Sequence, residues 1–189
     1  MLYRLRRSLW HLWPKLNIEY VYSHNLEIIP EKKFRIDAEI IFLTKDNIHR
    51  IHEVKKINLH KLTERLERGD KCYATVVDGK IAGYQWVQYS GIHFIQQAGK
   101  KVKVKEGDFW IYHARVLESY RSNGINSKIK SELMKDAKAN NFKRALIYTN
   151  KNNIPNRKGL ERLGFTLEDI IYSLKINNRF YKVYNKSMK

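Results

Sequence analysis

The stretch VLESYRSNGINSKIKSELMKDAK, residues 116–138, joins the end of an apolar strand to a helix through a short loop that contains Arg121 and Gly124. Apolar residues then recur at helical spacing, at Ile129, Leu133, Met134 and Ala137. Because the loop opens directly into a helix N-terminus, it presents free backbone N–H groups and a partial positive charge of about half a unit. The stretch therefore predicts a binding site for an anion such as a pyrophosphate.

The length and composition of the chain fit one globular domain. Its 189 residues are 43% hydrophobic and 12% aromatic, which is enough for a buried core. No stretch approaches the ~18 uninterrupted apolar residues that a membrane helix requires. The chain does not begin with the sustained apolar core of a cleavable signal. Cys72 is the single cysteine and excludes an internal disulfide, so we expect a cytoplasmic protein.

The chain is strongly basic, with 37 Lys and Arg residues, 19 Asp and Glu residues and a formal net charge of +18. Local clusters lie at Arg4, Arg6 and Arg7 and at Lys100, Lys101, Lys103 and Lys105. Such a field attracts polyanions of any class, which leaves open nucleic acid, anionic lipid, an acidic carrier protein and a phosphorylated cofactor. A solvated basic surface explains the charge equally well.

The start of the chain differs in composition from the rest. In residues 1–16 arginines alternate with leucines and tryptophans, which is typical of a short amphipathic helix stopped by Pro14. Such a helix either packs on the flank of a domain or lies peripherally on an anionic membrane surface. We predict that residues 1–37 form a basic, aromatic extension packed on a domain of residues 38–189, with strand-like residues at 18–29.

The remaining patterns predict an α/β (α+β) domain with a mixed, mostly antiparallel central sheet and helices on both faces. The predicted order is a strand at 38–43, helices at 48–55 and 59–68, and a hairpin of residues 72–77 and 81–89 that 92–95 extends. A strand at 109–116, the helix after the loop, a strand at 144–149, a helix at 153–163 and a hairpin of 167–176 and 179–184 follow. Asp78-Gly79 is the clearest hairpin turn.

A second motif follows the first, with Asn153-Ile154-Pro155-Asn156 at a helix start and the sequence LERLGF at residues 160–165. Together with residues 116–126 and the order of elements, this motif resembles the GNAT superfamily of acyl-CoA-dependent N-acyltransferases. The resemblance covers residues 38–184. It implies a GNAT-like fold that binds a CoA thioester, and we expect acetyl-CoA or another acyl-CoA as the acyl donor.

The resemblance also implies which residues contact the cofactor. The strand end is expected to hydrogen-bond the pantetheine arm through its backbone, and the loop to wrap the pyrophosphate. The implied contacts are Val116, Leu117, Arg121, Ser122, Asn123, Gly124, Ile125, Asn126, Ser127, Asn153 and Asn156. Asn126 stands where the family usually has a small residue, and Asn153 and Asn156 fit helix capping almost as well as cofactor binding.

The general acid and base cannot be carried over from the family. Many members have a tyrosine where this chain has Leu160 and a glutamate where it has Trp110. The candidates left on the preceding strand are Asp108, Tyr112 and His113. Strand alternation predicts that Asp108 and Tyr112 share one face with Val116, whereas His113 and Arg115 share the other.

The free energy of deprotonating the amine favours one class of acceptor. Deprotonating an amine with a pKa near 10.4 at pH 7 costs about 4.6 kcal/mol, whereas an amine near 7.8 costs about 1 kcal/mol. A site without an evident carboxylate base therefore favours a low-pKa amine such as an amino sugar. We expect no metal, because His49, His52 and Glu53 have no further ligand at a recognisable spacing.

The leading prediction is an N-acetyltransferase that transfers an acyl group from acyl-CoA to a primary amine. Three alternatives stay open. One takes the acyl group from an acidic acyl carrier protein, another uses RNA or protein as acceptor, and the third is a non-catalytic CoA- or polyanion-binding module. The sequence leaves acyl length and oligomeric state undetermined.

Overall fold

The computed structural model describes residues 14–177 and 179–188 and shows ten strands. The strands are β1 Lys15–His24, β2 Glu39–Leu43, β3 Lys71–Val77, β4 Lys80–Gln88, β5 Ile92–Ile95, β6 Lys100–Lys103, β7 Asp108–Val116, β8 Arg144–Asn150, β9 Thr166–Ile176 and β10 Arg179–Ser187. The α-helices are α1 Leu59–Glu67, α2 Ile125–Ala139 and α3 Ile154–Glu161, and short 3₁₀ helices lie at Ile48–Glu53 and Glu118–Tyr120.

Eight strands form one sheet in the order β10-β9-β1-β8-β7-β4-β3-β2. Every neighbouring pair is antiparallel except β7 and β8, which are parallel. The Asp78-Gly79 turn joins β3 to β4 with φ angles of 49° and 74°, as a tight hairpin requires. The predicted mixed, mostly antiparallel sheet is confirmed.

Helices cover both faces of the sheet because the strands alternate their apolar residues between two cores. On the α2 face, Phe109 and Ile111 of β7 pack with Leu133 of α2 and Leu160 of α3. On the opposite face, which we call the α1 face, a second core unites Leu62 of α1 with the first 3₁₀ helix and the sheet. The β5–β6 hairpin covers the rest of that face.

Two predicted elements differ in the structure. Ile92–Ile95 does not extend β4 but pairs with β6 as a separate two-stranded sheet. The segment at Ile48–Glu53 is a 3₁₀ helix, not an α-helix. Its N-terminus has no side-chain cap, because the Asn47 Oδ1 atom accepts a hydrogen bond from the backbone N–H of Thr44 at 2.7 Å.

The chain before β2 contributes to the body of the fold. β1 lies between β9 and β8 in the sheet, which confirms a strand in this region. Residues 27–35, here called the strap, then run along α2 in the opposite direction. Lys138 Nζ donates to Glu27 O at 2.8 Å, Ser131 Oγ donates to Pro30 O at 2.8 Å, and Glu31 pairs with Lys128 at 3.1 Å.

The division of the chain at residue 37 stays a prediction. Most of the predicted amphipathic pattern of residues 1–16, with its arginine cluster, falls on residues 1–13, which lie outside the described residues. Its last two residues, Lys15 and Leu16, belong to β1. Among the residues that the structure describes, no helix is both long and apolar enough to span a membrane.

Candidate active site

The site is built around a wedge between β7 and β8. The two strands pair from Asp108 and Arg144 to Ile111 and Ile147, and the pairing ends there. β7 continues to Val116 and β8 to Asn150, so residues 112–116 and 148–150 line an opening between them. Because parallel strands present N–H and C=O groups along their edges, this wedge offers backbone hydrogen bonds to an extended ligand.

A bulge in β7 causes the divergence. His113 has a positive φ of 52°, and the register of β7 with β4 shifts between Tyr84 and Trp86. A bulge bends its strand and reverses the side-chain alternation that follows it. Val116 consequently packs in the core of the α2 face, whereas Tyr112 lies on the α1 face. The predicted shared face of Asp108, Tyr112 and Val116 is therefore wrong for Val116.

His113 also lies on the α1 face, not opposite Tyr112 as alternation predicts. Its Nδ1 is 2.8 Å from Nη1 of Arg65 on α1, and its ring makes an edge contact with Tyr84 at 6.0 Å. Burial lowers the pKa of His113 to about 4, and the charges of Arg65, Lys55 and Arg115 act in the same direction. His113 is thus a neutral imidazole that accepts from Arg65.

The loop that follows β7 is held in place by the strap. Gly124 has a φ of 81°, and a Cβ at this position would lie 2.6 Å from Lys33 O. The Arg35 N–H donates to Asn123 O at 3.1 Å, and Arg35 Nη1 donates to Ser122 O at 3.3 Å. Only glycine combines this φ with such a close approach, so the loop and the strap form one fixed unit.

The N-terminus of α2 keeps donors for an anion. No side chain caps the helix, whose first backbone bond runs from Lys128 N to Gly124 O at 2.8 Å. The N–H groups of residues 125–127 precede that bond and so have no acceptor within the helix. Arg121, three residues before Gly124, forms an exposed ion pair with Glu118 at 2.8 Å. This geometry suits a pyrophosphate.

Asn126 turns away from the loop. Its Oδ1 accepts a hydrogen bond from Lys130 Nζ at 2.5 Å, and Lys130 is 1% exposed. Burial lowers the pKa of Lys130 to about 7. At the start of α3, Asn153 Oδ1 accepts from the backbone N–H of Asn156 at 3.3 Å, which is helix capping. A cofactor contact from these asparagines stays a prediction.

Tyr112 lies in the α1-face wall of the wedge and is hydrogen-bonded to a buried carboxylate. Its hydroxyl donates to Oδ2 of Asp70, whose side chain is 1% exposed, and Arg68 Nη2 lies 2.5 Å from the same oxygen. Burial and then the Asp70 charge raise the pKa of Tyr112 well above its ordinary value. Tyr112 therefore keeps its proton at neutral pH.

His93 of β5 lies over the mouth of the wedge. Its ring stacks on Trp110 at 4.7 Å and contacts Tyr112 at 5.3 Å and Tyr148 of β8 at 5.9 Å. Burial lowers the pKa of His93 to about 4. His93 Nδ1 lies 2.9 Å from Gln88 Oε1, and no group in the described residues bonds the buried Nε2.

The orientation of Gln88 assigns the His93 tautomer. Gln88 Nε2 donates to Ser90 O at 2.8 Å and to Ile92 O at 3.1 Å, so its Oε1 faces His93 as an acceptor. His93 Nδ1 must then carry the hydrogen, which leaves Nε2 with a bare lone pair. Sequence reasoning missed His93, because only the packing of the β5–β6 hairpin brings it to the wedge.

Asp108 is not brought together with the loop. It accepts from Arg144 Nε at 2.9 Å and from Arg144 Nη2 at 2.6 Å, and Arg144 also pairs with Glu168 at 2.9 Å. Asp108 begins β7, four residues before Tyr112, which is about 13 Å along a strand. The positions that depart from the family pattern, Leu160 and Trp110, are both buried apolar residues.

Among the described residues, no group of three His, Cys, Asp or Glu side chains is placed to hold a metal ion. Of the residues considered for a metal, His52 of the first 3₁₀ helix has its Nε2 2.7 Å from the backbone oxygen of Ile57, which follows that helix.

A family model of the acetyltransferase (GNAT) family matches residues 34–165. The chain belongs to the GNAT acetyltransferase family. The predicted resemblance is confirmed, and binding of acetyl-CoA is typical of this family. No protein of curated function matches this GNAT chain.

Solved structures share the fold at low identity. A GCN5-related N-acetyltransferase from Sphaerobacter thermophilus has a TM-score of 0.63 and 12% identity over 92% of this chain and 55% of that chain. A GNAT-family acetyltransferase from Colwellia psychrerythraea has a TM-score of 0.56 and 20% identity over 82% of this chain and 54% of that chain. At such identities the likeness shows the fold alone.

An aminoglycoside acetyltransferase from an uncultured soil metagenomic sample also matches, with a TM-score of 0.52 and 11% identity. The match covers 67% of this GNAT chain and 86% of that chain. The chain spans 55–66% of the length of the first four solved structures it matches.

Proposed function

We propose that this protein is an acyl-CoA-dependent N-acyltransferase, with acetyl-CoA as donor and a primary amine on a small molecule, such as an amino sugar, as acceptor. The observation that carries the proposal is the wedge between β7 and β8, which opens next to the uncapped N-terminus of α2. CoA thioesters join a peptide-like arm to a pyrophosphate. A strand edge beside an anion-binding helix end suits both parts of such a molecule.

On the donor side, Arg121 is the side chain best placed to add charge. Its guanidinium is exposed and bonded only to the exposed carboxylate of Glu118 in the described residues. An exposed pair of this kind contributes little, on the order of 0–1 kcal/mol, so Arg121 can exchange Glu118 for a phosphate at small cost. The planar guanidinium then binds two phosphate oxygens together.

On the acceptor side, His93 transfers the proton and Tyr112 positions His93. As the amine nitrogen bonds to the thioester carbon and the C–S bond breaks, the proton that the amine loses passes to His93 Nε2 and from there to the departing sulfur. Tyr112 has a raised pKa and donates its single hydroxyl proton to Asp70, so it gives no proton to the sulfur and instead supports the His93 ring, which it contacts at 5.3 Å. His93 is neutral with a free lone pair.

The weak basicity of His93 restricts the acceptor. An imidazole with a pKa of about 4 cannot deprotonate an ammonium efficiently, so the amine must reach the wedge already neutral. An amine with a pKa near 7.8 meets this condition at a cost of about 1 kcal/mol at pH 7. This supports α-amino groups and amino sugars over lysine side chains.

Ligand stabilisation and thiol release test the proposal. We expect acetyl-CoA to raise the melting temperature by linkage, and a low-pKa amine to release free thiol from it. Arg121→Ala should weaken CoA binding about tenfold or more, because a charged hydrogen bond is lost. His93→Gln should leave CoA affinity unchanged and reduce turnover on the order of 100-fold, whereas Tyr112→Phe should reduce turnover by less than about tenfold.

Arg179→Ala is the matched control, since Arg179 is an exposed arginine at the start of β10. This variant should change neither the affinity for CoA nor the turnover. Absence of stabilisation by CoA, acetyl-CoA and longer acyl-CoAs would contradict the proposal.

A non-catalytic CoA-binding module is the second candidate, because Leu160 and Trp110 occupy the family's tyrosine and glutamate positions as buried side chains. Stabilisation by acyl-CoA without thiol release from any amine in the panel would favour it.

A further inference from the structure

Resting on the proposed transfer to an amine, we infer that the acceptor carries an anionic group, a carboxylate or a phosphate, which Arg65 binds. Arg65 projects from α1 onto the wall that Tyr112 and His113 form. Its guanidinium carbon lies 5.1 Å from the Trp86 ring centroid and 5.3 Å from that of Tyr112. The two aromatic rings hold this cation in a fixed place beside the wedge.

Arg65 has hydrogen-bonding capacity to spare. A guanidinium has five N–H donors. In the described residues, Nη1 bonds the neutral His113 Nδ1 at 2.8 Å, and no ion pair includes Arg65. A half-buried guanidinium on aromatic faces, with no carboxylate partner, is costly unless a ligand supplies the anion. A planar carboxylate or phosphate matches its remaining donors.

Arg65 lies against β7, at one edge of the wedge, where it contacts Tyr112 and His113. Its charge acts to lower the pKa of Tyr112 on β7 and also that of Tyr148 on β8, against the larger effect of burial at each phenol. Both edges are therefore within electrostatic reach of the same guanidinium. An anionic group bound to Arg65 would lie on the α1 face while the amine of the same small molecule reaches the wedge.

Neighbouring charges reinforce the preference for an anion. Arg68, Lys55 and Arg115 add positive charge near Tyr112 and His113. The buried carboxylates on this face are already engaged, because Asp70 pairs with Arg68 and Asp108 pairs with Arg144. Glu19 accepts from Asn150 Nδ2 at 2.9 Å. Burial also raises the pKa of Glu19, which weakens its negative charge.

This charge distribution predicts rejection of polycationic acceptors. The solved aminoglycoside acetyltransferase shares the fold, but an aminoglycoside here would place several ammonium groups against Arg65 and its neighbouring cations. Like charges across an interface suppress binding. The acceptor is accordingly a small anionic amine.

Pairs of acceptors that differ only in the anion test the inference. Glucosamine 6-phosphate is compared with glucosamine, and alanyl-alanine with its C-terminal amide, alongside an aminoglycoside. The members of each pair have similar amine pKa values. We expect kcat/KM for thiol release from acetyl-CoA to be about tenfold or more higher for the anionic member of at least one pair, and lowest for the aminoglycoside. The pair that responds distinguishes phosphate from carboxylate.

Variants of α1 assign the effect to Arg65. Arg65→Gln should bring the anionic and neutral members within about twofold of each other, whereas Arg65→Lys should keep part of a phosphate preference as a point charge. Lys61→Gln, an exposed residue on the same helix, should leave the ratio unchanged. The ratio of kcat/KM for the anionic member to kcat/KM for the neutral member, measured on one protein preparation, does not depend on the fraction of protein that is folded.

Three results would overturn the inference: neutral members equal to the anionic ones in the wild type, preference for the aminoglycoside, or an unchanged ratio in Arg65→Gln. Thermal stabilisation by each amine in the presence of CoA measures acceptor binding without turnover. Equal stabilisation by the anionic and neutral members of both pairs would also overturn the inference. Stabilisation by acetyl-CoA alone is measured separately, so failure of the donor site is distinguishable from failure at Arg65.

Discussion

At the scale of single residues, the buried His93 and the half-buried His113 line the α1-face wall of the wedge. His93 and His113 both have their pKa lowered to about 4, chiefly by burial. An unfolded chain holds histidine near 6.5, so between pH 6.5 and pH 4 the unfolded state binds more protons. The stability of the folded protein therefore falls as pH falls through this window and is fully retained above it.

Replacing His93 with glutamine should flatten this dependence. Between pH 7 and pH 5 we expect His93 to account for about 2 kcal/mol of lost stability, which His93→Gln removes. Urea unfolding at the two pH values measures the difference. The same variant should lower thiol release without changing CoA affinity, because Nε2 is the proton acceptor in the proposed reaction.

The exposed His60 of α1 provides the control, since His60→Gln should keep the wild-type pH dependence. A His93→Gln variant that loses as much stability at pH 5 as the wild type would contradict the assignment.

The sequence identified some residues of this wall and missed others for a definable reason. Tyr112 and His113 lie on the strand that leads into the loop, so proximity along the chain was enough. Asp70 directly precedes β3, His93 lies on β5 and Arg65 on α1, and they meet Tyr112 only through packing. A signal existed for Arg65, which is three residues after the buried Leu62 on the same side of α1.

At the scale of elements, the strap sets the conformation of the loop before α2. Gly124→Ala should destabilise the protein by about 1–3 kcal/mol and weaken CoA binding, because both the positive φ and the approach of Lys33 O oppose a side chain. Chemical denaturation and CoA titration measure the two effects.

Gly69→Ala separates the two causes. Gly69 has a φ of 91°, but a Cβ added there would have no atom within 4 Å, so this position carries the conformational cost without the steric one. We expect a smaller loss of stability and unchanged CoA affinity. Equal effects of the two variants on CoA binding would show that the strap does not position the loop.

Periodicity predicted nearly every element, and the exceptions depend on contacts across the sheet. The helix of residues 125–139 and the Asp78-Gly79 hairpin follow from local spacing and turn chemistry. The bulge at His113 does not, because histidine, although enriched at positive φ, also occurs in regular strands and does not by itself mark a bulge. Side chains alternate between faces with a period of two, so the one extra residue in the bulge places Val116 on the face opposite to the predicted one.

At the scale of the whole molecule, β1 holds the sheet together between its two ends. Val21 is 4% exposed and packs with Trp110 and Leu146 on the α1 face. Val21→Asp should cost about 3 kcal/mol or more, because it buries an unpaired charge in the core. Thermal unfolding monitored by circular dichroism measures the loss.

Leu16→Asp makes the same kind of change on the same strand at a residue that is 64% exposed. It should change stability by no more than about 0.5 kcal/mol. Comparable losses in the two variants would contradict a central role for β1.

The position of β1 also orders events during synthesis. Translation makes β1 before every other strand that the structure describes, yet its two hydrogen-bonding neighbours, β8 and β9, are made after seven of the ten strands. The first strand therefore waits with both edges unpaired until the last part of the chain emerges, a state that chaperones commonly protect. β8 is also one side of the wedge, so a nascent chain stalled before residue 144 would lack both the completed sheet and a site for its cofactor.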